Sequence, residues 1–133
     1  MAASRHAARR RALDILYEAD VRGQPIGDVL AAHHAGNEPP PPFASGLVEG
    51  VAAVIDELDE RINAHAVGWR VERMPIVDRN LLRLGMWEML YSDVPRAVAI
   101  DEAVRLAKEL STDDSGRFIN GVLARAGASP AAS

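Results

Sequence analysis

Apolar residues recur at intervals of three and four along almost the whole chain, and this spacing constrains the fold more than any other feature. It is the repeat of amphipathic helices, whereas half-buried strands need an alternation of two, which does not compete in any segment. The 133 residues are enough for one compact domain, or for two small subdomains that share a core. The sequence therefore predicts an all-α fold.

Capping residues and prolines set the predicted helix boundaries. Ser4 and Gly23 flank the first helix, and Pro39 to Pro42 are interpreted as an extended linker because proline lacks the amide hydrogen that a helix needs. The alternative is a proline-rich ligand for another domain, which one short tract between helices favours less. The predicted helices cover 4–22, 26–35, 43–66, an ambiguous short segment at 67–74, and 75–91. A sixth helix is marked by Ile100 to Ala107 and a seventh by Ile119 to Ala126, with Ser111 or Thr112 as the cap of the seventh. The helix over 75–91 is apolar on most sides, which places it in the centre of the fold.

Composition excludes several classes of protein. The absence of cysteine excludes disulfides and thiol chemistry, and it favours a reducing cytoplasm. No apolar run approaches the roughly 20 residues that span a bilayer, so we expect no membrane segment.

Catalytic motifs are missing as well. The chain has no glycine-rich phosphate loop, nucleophile elbow or metalloprotease helix, and its four histidines are not spaced as metal ligands. We interpret His6 and His65 as solvated or capping residues. The sequence predicts a protein that is not an enzyme and has no catalytic residues, cofactor or metal.

The basic residues are unevenly distributed in a chain of formal net charge −4. No acid occurs among the first 13 residues, which contain four arginines: Arg5, Arg9, Arg10 and Arg11. On a helix, Arg10 and Arg11 reach Asp14, whereas Arg5 and Arg9 have no acid three or four residues away. Two such guanidiniums suit the phosphates of a nucleic acid. The alternative is an exposed pair that solvent tolerates.

Phe118 is the second candidate contact. It lies one position before the apolar stripe of the last helix, at the predicted rim of the core. One interpretation is a core aromatic that packs under a neighbouring helix. The other is a platform for an unpaired base, since aromatic stacking combined with arginine–phosphate contacts is how proteins hold single-stranded RNA.

Five blocks of the sequence carry a resemblance to a known family: RHAAR at 5–9, ALDILY at 12–17, DRNLLRLGMWEML at 78–90, DVPRAVAIDEAVRLAK at 93–108 and DDSGRFINGVL at 113–123. Together they resemble the NusB family of transcription antitermination factors. The blocks follow the family in order and spacing, and the resemblance covers most of the chain, being weakest from about 24 to 46.

The resemblance implies a fold and a function. The fold is all-helical, with two roughly perpendicular three-helix bundles plus one further helix. We expect a single RNA-binding domain over 1–133, with an N-terminal half at about 4–66 and a C-terminal half at about 67–126. The implied function is binding of the single-stranded boxA element of nascent ribosomal RNA, jointly with the small-subunit ribosomal protein that serves as Nus E in the RNA polymerase antitermination complex.

The resemblance also implies site residues. The arginine-rich first helix, with Arg5, Arg9 and Arg10, would contact the RNA. Asp114 and Phe118 match an acid and an aromatic of the last-helix motif that is also implicated in RNA binding. Surface acids of the second bundle, Glu72 and Asp78, are the candidate contacts for the protein partner.

The sequence departs from the family at its start, where His6 and Ala7 interrupt a basic run that is often unbroken. This interruption and the acidic remainder of the chain predict weak binding of RNA alone and dependence on the partner protein. Some family members form homodimers that cover the RNA surface, and the sequence leaves the choice between monomer and homodimer open.

Two alternative functions are a module related to ribosomal RNA methyltransferases and a protein-only adaptor. A similar helical domain begins the ribosomal RNA cytosine methyltransferases, but the glycine-rich α/β domain that binds their cofactor has no strand signals in these 133 residues. The other alternative is a protein-only helical adaptor whose arginines merely solvate a helix.

Overall fold

The computed structural model describes residues 4–128, and within that range it contains seven α-helices, one short 3-10 helix and no strand. The all-α prediction is therefore confirmed. The helices are α1 (Arg5–Arg22), α2 (Ile26–His34), α3 (Pro42–Ala53), α4 (Ile55–His65), the 3-10 helix Val71–Arg73, α5 (Ile76–Tyr91), α6 (Arg96–Leu110) and α7 (Asp113–Ala128).

Local sequence signals explain both ends of α1. The Ser4 hydroxyl accepts a hydrogen bond from the Ala7 amide at 3.0 Å, which satisfies a backbone donor that the helix itself leaves unpaired. Gly23 adopts a left-handed conformation (φ 63°) that ends the helix at little steric cost. The predicted apolar face of α1 is buried: Ala8, Ala12, Ile15, Leu16 and Ala19.

The single helix predicted over 43–66 is wrong, because the chain breaks at Val54 (φ −133°, ψ 28°). Helix α3 packs on α1 and α5, whereas α4 packs on α5 and α7. The apolar spacing continues through the break and therefore hides it. The ambiguous segment 67–74 contains only the short 3-10 helix. The prediction and the described structure both have seven helices, but they divide residues 43–74 differently.

Helix α5 lies at the centre of the packing, as its apolar residues predicted. Helices α1, α2 and α3 contact one another, and so do α5, α6 and α7, with α4 against α5 and α7. Helix α5 also contacts α1 and α3, so it joins the two groups. Its fully buried side chains include Leu81, Leu82 and Met86. Within 4–128, no helix has the length and apolar character required to cross a membrane.

Candidate nucleic-acid interface

Arg9 is buried in an ion pair that the sequence did not reveal. The residue is 5% exposed, and its Nε and Nη2 donate to Oε1 and Oε2 of Glu88 at 2.7 and 2.8 Å. Glu88 lies on α5 and is 79 positions after Arg9 in the sequence. Local spacing therefore could not identify it as the partner. The expectation that Arg9 presents an unneutralised guanidinium is therefore wrong.

The ion pair fixes the start of α1 against α5. The hydrogen bonds that Arg9 donates to Glu88 raise the pKa of Arg9, although burial opposes this rise. A second carboxylate, that of Glu102 on α6, lies 3.8 Å from Nη1 of Arg9. A buried charge held by a two-pronged partner is a positional anchor. Arg9 is therefore part of the scaffold and is not available to bind a phosphate.

His6 adds a second tie between α1 and α6. Its Nδ1 lies 2.8 Å from Glu102 Oε2, and its Nε2 lies 3.0 Å from Glu109 Oε1. The interpretation of His6 as a solvated or capping residue is therefore wrong. These contacts hold the helix turn that carries Arg5.

Arg5 remains exposed, one turn before Arg9. Its Cζ lies 4.8 Å from the centroid of the Phe43 ring, and Cζ of Arg9 lies 5.3 Å from the same centroid. Among the residues described, no carboxylate comes within ion-pair distance of Arg5. The guanidinium of Arg5 thus keeps an uncompensated charge near solvent, as the sequence predicted for both arginines.

Arg10 and Arg11 differ in exposure, as Arg5 and Arg9 do. Arg11 is half-buried and donates to the backbone carbonyl of Glu38 at 2.5 Å, which ties α1 to the segment before the proline linker. Arg10 is exposed. Desolvation raises the pKa of Asp14, and the charges of Arg10 and Arg11 act against that rise. Arg5 and Arg10 are the exposed arginines near the start of α1, on sides of the helix about 140° apart, and we refer to the two together as the basic surface of α1.

A cavity of about 430 Å³ lies at the start of α7. Phe118 stands half-buried at this cavity and packs edge-on against Trp69, with ring centroids 5.3 Å apart and an interplanar angle of 65°. The ring packs against the core on one side and is open to the cavity on the other. The interpretation of Phe118 as a platform for a base stays a prediction. The cavity is lined by Trp69, Pro75, Asp78, Ser111, Thr112, Asp114, Ser115 and Phe118.

Asp78 lies under this cavity rather than on the surface. Asp78 is only 1% exposed. The prediction that it is a surface acid is therefore wrong. The Ser115 hydroxyl donates to Oδ2 at 3.0 Å, while Oδ1 is buried without a hydrogen-bond partner in the part of the chain described. Burial raises the pKa of Asp78, and the hydrogen bonds from Ser115 and Ser111 oppose this effect.

The other acidic candidates are exposed. Asp114 forms an ion pair with Arg117 one turn along α7, where both side chains are largely in solvent. Glu72, on the 3-10 helix, accepts a hydrogen bond from Arg70 Nε at 2.8 Å, which lowers the pKa of Glu72. Nearby, Thr112 caps α7 by accepting from the Ser115 amide, which confirms one of the two predicted caps.

Sequence reasoning missed three residues of these sites: Phe43, Trp69 and Glu88. Phe43 directly follows the proline linker, and Trp69 lies in the segment left ambiguous. Glu88 belongs to a block that carries the family resemblance, but nothing in that block reveals its contact with α1. Within residues 4–128 no group of three or more histidine or acidic side chains is arranged to hold a metal ion.

Comparison with known sequences gives a consistent result. A sequence model of the NusB family matches residues 6–127. The transcription antitermination protein NusB of Salinispora tropica is 54% identical over 127 residues, a match that covers 92% of this chain and 93% of that protein. The protein of the same name from Thermobifida fusca is 50% identical over 127 residues and is covered to 87%.

Solved structures have the same fold. The NusB structure of T. maritima matches with a TM-score of 0.85 and 29% identity, covering 99% of this chain and 96% of that one. A chain from the crystal structure of antitermination factors NusB and NusE in complex with dsRNA matches with a TM-score of 0.76 and 30% identity, covering 92% and 95%.

The fold and these matches define an all-helical class of transcription antitermination proteins, which are not enzymes. Within that class, the chain belongs to the NusB family.

Proposed function

We propose that this protein binds the boxA element of nascent ribosomal RNA together with the small-subunit ribosomal protein that serves as Nus E. The joint complex then keeps RNA polymerase processive through ribosomal RNA operons. The protein acts in the cytoplasm, where the transcript emerges. The named relatives and the solved complex of NusB and NusE with dsRNA support this assignment.

The observation that carries the proposal is the basic surface of α1. Arg5 has no carboxylate within ion-pair distance in the described part of the chain, and Arg10, five positions further along α1, is also exposed. No acid occurs among the first 13 residues, and the nearby carboxylates of Glu102 and Glu109 are engaged by His6 and leave Arg5 without an ion pair. Each phosphate that Arg5 or Arg10 neutralises makes the RNA affinity more dependent on salt.

The cavity at the start of α7 supplies the second RNA contact. Phe118 offers a ring for an unpaired base, with Trp69 packed against it. The carboxylate of Asp114, at the rim, repels phosphate but accepts hydrogen bonds from base amino groups or a ribose hydroxyl. Phosphate contacts thus position the strand at α1, and base contacts read it at α7.

Glu72 is the surface acid that we assign to the protein partner. Its exposed ion pair with Arg70 contributes little to folding, so a basic side chain of the ribosomal protein can replace Arg70 at low cost. Asp78 can contact the partner only if the cavity above it admits a donor side chain.

Titration of a boxA oligonucleotide with and without the ribosomal protein tests the proposal. We expect tight binding only when the ribosomal protein is present, and weaker binding of an oligonucleotide of scrambled sequence. Equal affinity for both sequences would contradict recognition of boxA. Binding of the ribosomal protein without any RNA contact would favour the protein-only adaptor.

Two further measurements complete the test. Size-exclusion chromatography at the same concentrations shows whether a homodimer competes with RNA. An assay with a labelled methyl donor, which we expect to show no transfer, addresses the methyltransferase alternative.

A further inference from the structure

The ring of Phe43 makes a cation–π contact with the exposed Arg5, which has no other partner among the described residues. The proposed function assigns no role to Phe43. The ring is half-buried against the core, on the second residue of α3. Pro41 caps this helix and Pro42 is its first residue, and both prolines restrict the backbone that leads to Phe43. The ring is therefore a well-fixed platform.

The same ring also contacts the fixed arginine. Arg9 lies 5.3 Å from the centroid of Phe43 and is held by its two hydrogen bonds to Glu88. Since Arg9 and the proline segment both restrain Phe43, the position of Arg5 over the ring is set by elements from three parts of the chain. An exposed arginine without such a platform would lose side-chain entropy when it binds.

The chemistry of the group that holds Arg5 decides whether its guanidinium stays available to a phosphate. A carboxylate at this position would neutralise Arg5 and compete with a phosphate for its N–H groups. An aromatic face attracts the guanidinium through its quadrupole and leaves those N–H groups free to donate. Phe43 thus holds the guanidinium in place without cancelling its charge.

We propose that Phe43 is a positioning residue that holds Arg5 ready to bind an RNA phosphate. This inference rests on the proposed function, because it requires that Arg5 contacts RNA. It gives the proline linker a role: the linker delivers an aromatic ring to the basic surface of α1.

The test is a double-mutant cycle between Arg5 and Phe43. The dissociation constant for boxA RNA is measured with the ribosomal protein present for the wild type, Arg5→Ala, Phe43→Leu and the double variant. We expect Phe43→Leu to weaken binding about 2- to 5-fold and to have no further effect in the Arg5→Ala background. Phe43→Tyr keeps the ring and is expected to bind as the wild type does.

The control and the opposing outcomes separate the two proposals. Arg22→Ala removes an exposed charge from the far end of α1 and should leave binding unchanged. If Arg5→Ala weakens binding but Phe43→Leu does not, the positioning role is wrong and the proposed function stands. If Arg5→Ala has no effect, the phosphate contact itself is wrong.

Two measurements guard against a packing effect. Equal weakening by Phe43→Leu with and without Arg5 would assign the effect to the core and overturn the proposal. If Phe43→Leu does not fold, NMR of the wild type decides: the Arg5 side-chain protons should show an upfield ring-current shift, and unshifted protons would overturn the stack.

Discussion

Two buried charges, one at the start of α1 and one near the start of α7, differ in how fully they are hydrogen-bonded. At α1, Arg9 meets Glu88 through two hydrogen bonds, and the charge is fully compensated. Near the start of α7, Asp78 of α5 accepts a hydrogen bond from Ser115 on one carboxylate oxygen, while its other oxygen is buried beside a cavity without a hydrogen-bond partner among the described residues. The first arrangement anchors a helix. The second leaves acceptor capacity under a surface that we assign to ligand binding.

The largest expected effect tests the anchor. Glu88→Ala should lower the free energy of unfolding by about 3–5 kcal/mol, because it leaves Arg9 buried without its main partner. Chemical denaturation measures this loss, with Arg22→Ala as a control that breaks only an exposed pair with Glu18. A loss below about 1 kcal/mol would mean that the buried pair contributes no more than a surface pair. Any loss of RNA binding in Arg9→Ala should follow the loss of folded protein.

The next effect concerns the ring at the cavity. Phe118→Leu keeps the apolar contact with the core but removes the stacking face, so boxA affinity should fall by about 1–3 kcal/mol if one base stacks there. Fluorescence anisotropy with the ribosomal protein present gives the affinity, and thermal unfolding shows whether the variant is intact. Unchanged affinity in a folded variant would leave Phe118 with a packing role only.

Asp78 should show a smaller effect that depends on pH. Burial raises its pKa in the folded state above the ordinary value of 3.8, so its ionised form destabilises the fold. Asp78→Asn should therefore increase the free energy of unfolding at neutral pH by about 1 kcal/mol. The advantage of the variant should shrink as the pH falls through the raised pKa, because the wild-type carboxyl then becomes neutral. Denaturation of both proteins across this range measures the difference, and a constant difference would contradict the assignment.

The smallest effect is expected at the ion pair of α7 itself. Arg117 and Asp114 are both largely exposed, so solvent screens their attraction. Arg117→Ala should change the free energy of unfolding by less than about 1 kcal/mol, in contrast with Glu88→Ala. A loss as large as that at Glu88 would remove the distinction between the two regions.

The sequence predicted what local chemistry determines. The bounds of α1 follow from the hydroxyl of Ser4 and the left-handed Gly23, and the central position of α5 follows from its apolar surface. The break at Val54 was not predictable from spacing, since the apolar repeat runs through it. The partner of Arg9 was not predictable either, because Glu88 is distant in sequence and only the packing of α1 on α5 brings them together.

The sites show the same limit. Residue type identified Arg5 as a cation without a local acid, which the structure bears out within the described residues. It could not show that Phe43 lies under Arg5, that Trp69 packs on Phe118, or that Asp78 is buried. Each of these depends on contacts between distant segments.

The salt dependence of boxA binding tests the central claim most directly, which is that Arg5 meets a phosphate while Arg9 serves the scaffold. With the ribosomal protein present, the slope of log affinity against log salt should become shallower by about 0.7 in Arg5→Ala, the value for one phosphate contact on a single strand. Arg22→Ala should keep the wild-type slope. A slope in Arg5→Ala equal to that of the wild type would contradict the account.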